Sequence, residues 1–84
     1  MELFKILDAV IDNAGDMLKQ RAAVEEALTP ESIDEYADNA MGINLTTEQA
    51  NKISRVGLNW VKQANEGNGE WSRMRHEAQE ALDD

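Results

Sequence analysis

Cysteine is absent from these 84 residues, and proline and histidine occur once each. Without cysteine there is no disulfide framework, no thiolate nucleophile and no cysteine-ligated metal. Aromatic residues number four, two of them tryptophan. Positive charge is scarce as well, with eight bases against seventeen acids and a formal net charge of −9. An excess of that size repels phosphate backbones and anionic lipid, which argues against direct binding to nucleic acid or to a membrane surface. No run approaches the roughly 18 apolar residues that span a bilayer. Acids at Glu2, Asp8, Asp12 and Asp16 interrupt the first 20 residues. This is unlike the apolar stretch of a secretory signal or the acid-poor character of an organelle presequence. The expectation is a cytoplasmic, single-domain protein covering 1–84, about the size at which one small core forms.

What is present is a helical period along nearly the whole chain. At 100° per residue, Leu3, Phe4, Ile6, Leu7, Val10, Ile11, Ala14, Met17, Leu18, Ala22, Val24 and Leu28 fall on one arc. Asp8, Asp12 and Asp16 lie opposite, with Lys5 and Lys19 among them. The phase survives Gly15, so the pattern predicts one helix over 2–28. Thr29-Pro30 then stops one helix and starts the next, with Thr29 as N-cap and Pro30 at the first helical position. That second helix runs over 30–41 with Ile33, Tyr36, Ala37, Ala40 and Met41 on its apolar stripe. Gly42 is placed as its left-handed C-cap and Ile43 as the accompanying hydrophobic contact. Thr46 and Gln49 have capping-box spacing and open a third helix over 47–65. Its apolar face is Ala50, Ile53, Val56, Gly57, Trp60, Val61 and Ala64, and its polar face carries Asn51, Lys52, Arg55, Asn59 and Lys62. Gly57, in mid-stripe, marks a close helix approach. Glu66-Gly67-Asn68-Gly69 is a loop. A fourth helix over 70–82 turns Trp71, Met74, Ala78, Ala81 and Leu82 inward. The fold class expected is all-α, a small domain of about four helices with one long N-terminal amphipathic helix.

The length of that first helix raises a question of assembly. Twenty-seven residues make a helix of about 40 Å. A compact chain of this length has a radius of gyration near 12 Å and a diameter of about 30 Å. An overhanging apolar stripe wants cover, and a second copy supplies it. The near-heptad series through Leu3, Leu7, Val10 and Met17 is the candidate self-association seam. The competing reading is that the shorter helices pack on this stripe as ordinary core.

Catalytic chemistry finds little support. Ser32, Ser54 and Ser72 lie in polar helical contexts without a base and an orienting group beside them. His76 and Glu80 share a helix face, which reads first as a solvated surface pair. No glycine falls at the sixth position of a calcium loop with acids at its first, third and fifth positions. No nucleotide-binding glycine pattern occurs. Acyl carriers are also small, acidic and helical, but the Asp-Ser dipeptide that bears their prosthetic group is missing. The expectation is a protein that is not an enzyme and takes no cofactor or metal.

The layout of the charge is more informative than its sum. Residues 1–42 hold ten acids and three bases, and between Glu25 and Asp38 six acids occur without a base: Glu25, Glu26, Glu31, Asp34, Glu35 and Asp38. Asp8, Asp12 and Asp16 repeat at helical spacing, as do Glu31 with Glu35 and Asp34 with Asp38. Like charges four apart oppose helix formation by a few tenths of a kcal/mol per pair. Glu35 and Asp38, and at the chain end Glu80, Asp83 and Asp84, stand toward helix C-termini, where the dipole disfavours anions. Acids placed against local energetics point to a surface made for a basic protein partner. Carboxylates about 6 Å apart on rigid helices resemble a phosphate backbone. In charge and size the chain resembles the small acidic inhibitors of phages and mobile elements that imitate nucleic acid. That resemblance implies occupation of the cationic site of a nucleic-acid-processing complex. Tyr36, beside the acids of the second helix, and Trp71, after the glycine loop, are candidate partner contacts, since aromatics are enriched at interface hot spots. The alternative expectation is an assembly subunit, a homodimer through the first helix, whose acids only solubilise it.

Overall fold

The computed structural model describes residues 3–15, 25–67 and 70–83. Within them are four α-helices, which we number α1 (Leu3–Ala14), α2 (Pro30–Tyr36), α3 (Thr47–Asn65) and α4 (Trp71–Asp83), and a π-helical turn, Ala37–Met41, that continues α2. The described residues contain no strand. The radius of gyration, 11.7 Å, is that of a compact all-α domain of this length. Among the described residues no helix is long and apolar enough to cross a membrane.

Helix ends follow their capping chemistry. Thr29 caps α2 in extended backbone, its hydroxyl accepting from Ser32 N at 3.2 Å, with Pro30 opening the helix. Thr46 and Gln49 form a complete capping box at α3, with reciprocal bonds of 3.1 and 3.0 Å. Removing the cap with Thr46→Ala leaves an amide at the helix start unpaired. We expect a loss of about 1 kcal/mol in urea unfolding. Gly42 takes the left-handed conformation at φ 66° and ends the π turn, and Ile43 N donates to the Ala37 carbonyl at 2.9 Å. The π turn holds more residues per turn than an α-helix and so rotates the stripe. Ala40 and Met41, expected inward, are exposed for that reason, whereas Ile33 and Ala37 are buried.

The first helix is shorter than the period predicts. It ends at Ala14, and Gly15 adopts φ 52°, a left-handed value that no helical residue takes. The expected helix over 2–28 is therefore interrupted at Gly15. Residues 25–27 are helical again and lead into a turn at Leu28 and Thr29. Twelve residues of α1 span about 18 Å, well inside the molecule's 34 Å long axis. The overhang that called for a second copy does not arise from α1.

α1 and α3 each touch every other helix, and the core forms between them. Leu3, Leu7 and Val10, the described members of the proposed self-association seam, are buried there with Phe4, Ile6, Leu28, Ile33, Ile53, Trp60 and Val61. The stripe of α1 is thus ordinary core within one chain. From α4, Met74, Ala78 and Leu82 complete this core. Ala81 and Trp71, both expected inward, are exposed. Gly57 allows the approach its position suggested: a Cβ there would stand 2.6 Å from Leu7 Cδ1 and 3.3 Å from Leu28 Cδ2.

Candidate binding surfaces

The acids of the second helix are displayed as their sequence positions require. Ile33 and Ala37 turn into the core, which sends Glu31, Asp34, Glu35 and Asp38 to solvent. Glu25 and Glu26 are exposed on the residues leading into the turn. A short relay ties the two groups together. The Thr29 hydroxyl donates to Ser32 Oγ at 2.9 Å, which donates to the Glu26 carbonyl at 2.8 Å. Among the described residues none of these six carboxylates has a cation within ion-pair distance. Neither α2 nor the π turn carries a base in its last turn. Tyr36 is half-buried and shares a shallow groove with Ser32, Glu35 and Asn39.

The acids of the first helix form a separate group. Asp8 and Asp12 line an open groove of about 450 Å³ with Ile11, Gly15, Trp60, Val61, Asn65 and Trp71. Asp8 is already engaged: Arg75 of α4 pairs with its Oδ2 at 3.3 Å and stacks over the Phe4 ring at 4.9 Å. Asp12 is exposed and has no such partner among the described residues. The structure therefore brings Asp8, Asp12 and Trp71 together in one place. The grooves lined by Asp8 and Asp12, by Glu31 and Asp34, and by Glu35 are separate ones. Asp16 and Met17, also expected at binding surfaces, lie outside the described residues.

An aromatic run crosses the molecule behind this groove. Phe4 stacks on Trp60 at 6.2 Å, and Trp60 meets Trp71 at 4.9 Å and 42°. Trp60 is 1% exposed and its indole N–H has no hydrogen-bond partner among the described residues, whereas Trp71 is 44% exposed.

Two of the acids placed against their own helix dipole have local explanations. Asp83, at the end of α4, accepts from Phe4 N at 3.5 Å across the start of α1. It faces the positive end of another helix's dipole, where an anion is favoured. Glu80 pairs with His76 at 3.1 Å on the solvent face of α4, the surface pair that the spacing suggested. Asp84 is outside the described residues. Ser54, read as lying in a polar helical context, is buried and donates to the Leu28 carbonyl where the preceding helical residues end. The signal for that was its position between Ile53 and Gly57, on the edge of the apolar stripe. Among the described residues no three His, Asp or Glu side chains are grouped to hold a metal ion.

Compared with protein-family models, with curated proteins and with solved structures, the chain matches none.

Proposed function

We propose that this chain is a non-enzymatic binding protein whose acidic surface, from Glu25 through α2 to Asp38, occupies a basic site on another protein. A nucleic-acid-binding groove of a processing complex is the site whose charge and spacing it fits, so the chain acts as an inhibitor by mimicry. The observation that carries the reading is the set of six exposed carboxylates without a single neutralising base among the described residues. Isolated, they repel one another at their helical spacing. Opposite a cationic groove the same repulsion is relieved, and long-range attraction speeds encounter. Tyr36, half-buried amid these acids, supplies apolar contact area.

The test is charge reversal of Asp34, Glu35 and Asp38 to lysine, with helicity checked by circular dichroism. Reversal gives Glu31 opposite charges three and four residues on, leaves positions 34 and 38 like-charged as before, and places cations toward a helix C-terminus, so stability is expected to hold or rise by a few tenths of a kcal/mol. Binding to the partner captured from the host is expected to fall at least tenfold. The wild-type complex should weaken steeply with added salt and be displaced by duplex DNA. Unchanged binding in the triple variant, or binding indifferent to salt, would sink the reading.

A further inference from the structure

The groove beside α1 is built differently from the open acidic face of α2. Its floor is apolar and aromatic: Ile11, Val61 and the two tryptophans. Among the described residues its ionisable lining is Asp8 and Asp12, and no base lines it. Trp71 rests on Trp60 and leaves much of its ring to solvent at the groove's edge. About 450 Å³ falls within the range of ordinary ligand pockets. A site with π faces below and carboxylates at the rim selects a cation that also has a flat or apolar body. A guanidinium meets both demands, because it stacks on aromatic rings while donating in its own plane to carboxylates.

The molecule already contains one such arrangement. Arg75 lies 4.9 Å over the Phe4 ring and reaches Asp8 Oδ2 at 3.3 Å. That contact uses an aromatic ring and one carboxylate of α1 to hold a guanidinium. One turn further along the same helix, Asp12 stands over a groove lined by Trp60 and Trp71, with no cation in place among the described residues. We propose that this groove receives an arginine side chain of the basic partner, with Trp71 as the stacking platform and Asp12 as the carboxylate. The inference rests on the partner reading above and names where that partner is anchored. It places the anchor on α1 and α4, apart from the carboxylates of α2.

The test uses the full chain and a small probe, so that it does not depend on capturing the partner. Blocked Gly-Arg-Gly peptide is titrated into labelled protein while the two tryptophan indole signals are followed by NMR. A matched peptide with citrulline, which has the same shape without the charge, is the control. Saturable shifts at Trp71 and Asp12 are expected, at least tenfold weaker with citrulline. Asp12→Asn, and separately Trp71→Leu, which keeps apolar bulk without the ring, are each expected to weaken arginine binding at least fivefold in folded protein. Reversal of Asp34, Glu35 and Asp38 should leave it within about threefold at physiological salt, where screening acts over about 8 Å.

The inference is overturned by non-saturable shifts, by equal affinity for citrulline, or by indifference to both groove variants. It is also overturned by contacts from residues 16–24, or from a second copy, to Trp71 that persist at saturating peptide. A groove that fails while the α2 reversal still abolishes partner capture removes the anchor and leaves the partner reading standing. Arginine binding that survives while the α2 reversal changes nothing does the converse.

Discussion

Trp60→Ala is expected to lower the free energy of unfolding by about 3–5 kcal/mol, the usual cost of truncating a buried aromatic residue. At about 0.05–0.15 kcal/mol per residue, a chain of this size has only about 4–13 kcal/mol in total. The change therefore removes a large share of stability, and at the lower end of that range the variant is unfolded at room temperature. The reason is position. Trp60 stands on α3, which touches every other helix, and it bridges Phe4 of α1 at 6.2 Å to Trp71 of α4 at 4.9 Å. Removing it opens a cavity shared by three elements, which cannot all collapse into it at once. Trp60→Phe separates shape from polarity. It keeps one ring in the stack and eliminates an indole N–H that is buried without a partner. A buried unsatisfied donor costs about 1–3 kcal/mol, so its loss offsets part of the smaller ring's packing deficit. Urea unfolding followed by far-ultraviolet circular dichroism should rank wild type above Trp60→Phe, and Trp60→Phe well above Trp60→Ala. Equal losses for the two variants would mean that the stack contributes little.

Where the chain carries punctuation, its elements were legible. Thr29-Pro30, Gly42, and Thr46 with Gln49 each act through a local bond or a fixed dihedral: α2 and α3 begin, and the π extension ends, where these residues stand. Gly15 shows what a hydrophobic period leaves out. A hydrophobic phase computed at 100° per residue is blind to the sign of one φ, and glycine alone takes φ 52° without strain. The phase runs through a residue at which the helix stops, and α1, ending at Ala14, carries no overhanging stripe. The π turn was equally invisible, and two residues of the α2 stripe were assigned to the wrong side.

The binding surfaces divide in the same way. Exposure of the α2 acids needed only the helical period, and all of them are exposed. The pairings Arg75 with Asp8, Asp83 with Phe4 N–H and Ser54 with the Leu28 carbonyl join residues 67, 79 and 26 positions apart. No rule of local spacing reaches that far. The groove between Asp12 and Trp71 is a product of the same long-range packing, although each residue had been singled out separately.

Gly57→Leu is expected to destabilise by about 2 kcal/mol or more, and the loss should be partly repaired by Leu7→Ala. A leucine at an interior helical site regains about 1 kcal/mol of propensity over glycine. Against that stands the space. A first carbon at position 57 already falls 2.6 Å from Leu7 Cδ1 and within 3.3 and 3.6 Å of the two methyls of Leu28. A single methyl group could be met by a rotamer shift at Leu7. Four carbons cannot, because Leu7 and Leu28 are themselves fully buried and have nowhere to move. Overpacking of this kind usually costs about 1–3 kcal/mol, sometimes more. Leu7→Ala alone leaves a cavity and should cost about 2–5 kcal/mol. In the double variant the leucine at 57 enters the space vacated at 7, so the two losses should fall short of additive by about 0.5–3 kcal/mol, the range seen for residues in contact. A double-mutant cycle by urea unfolding measures this directly. Additive losses would mean that α1 and α3 do not meet at Gly57, and with that the placement of the Asp8 and Asp12 face of α1 beside the two tryptophans would lose its support.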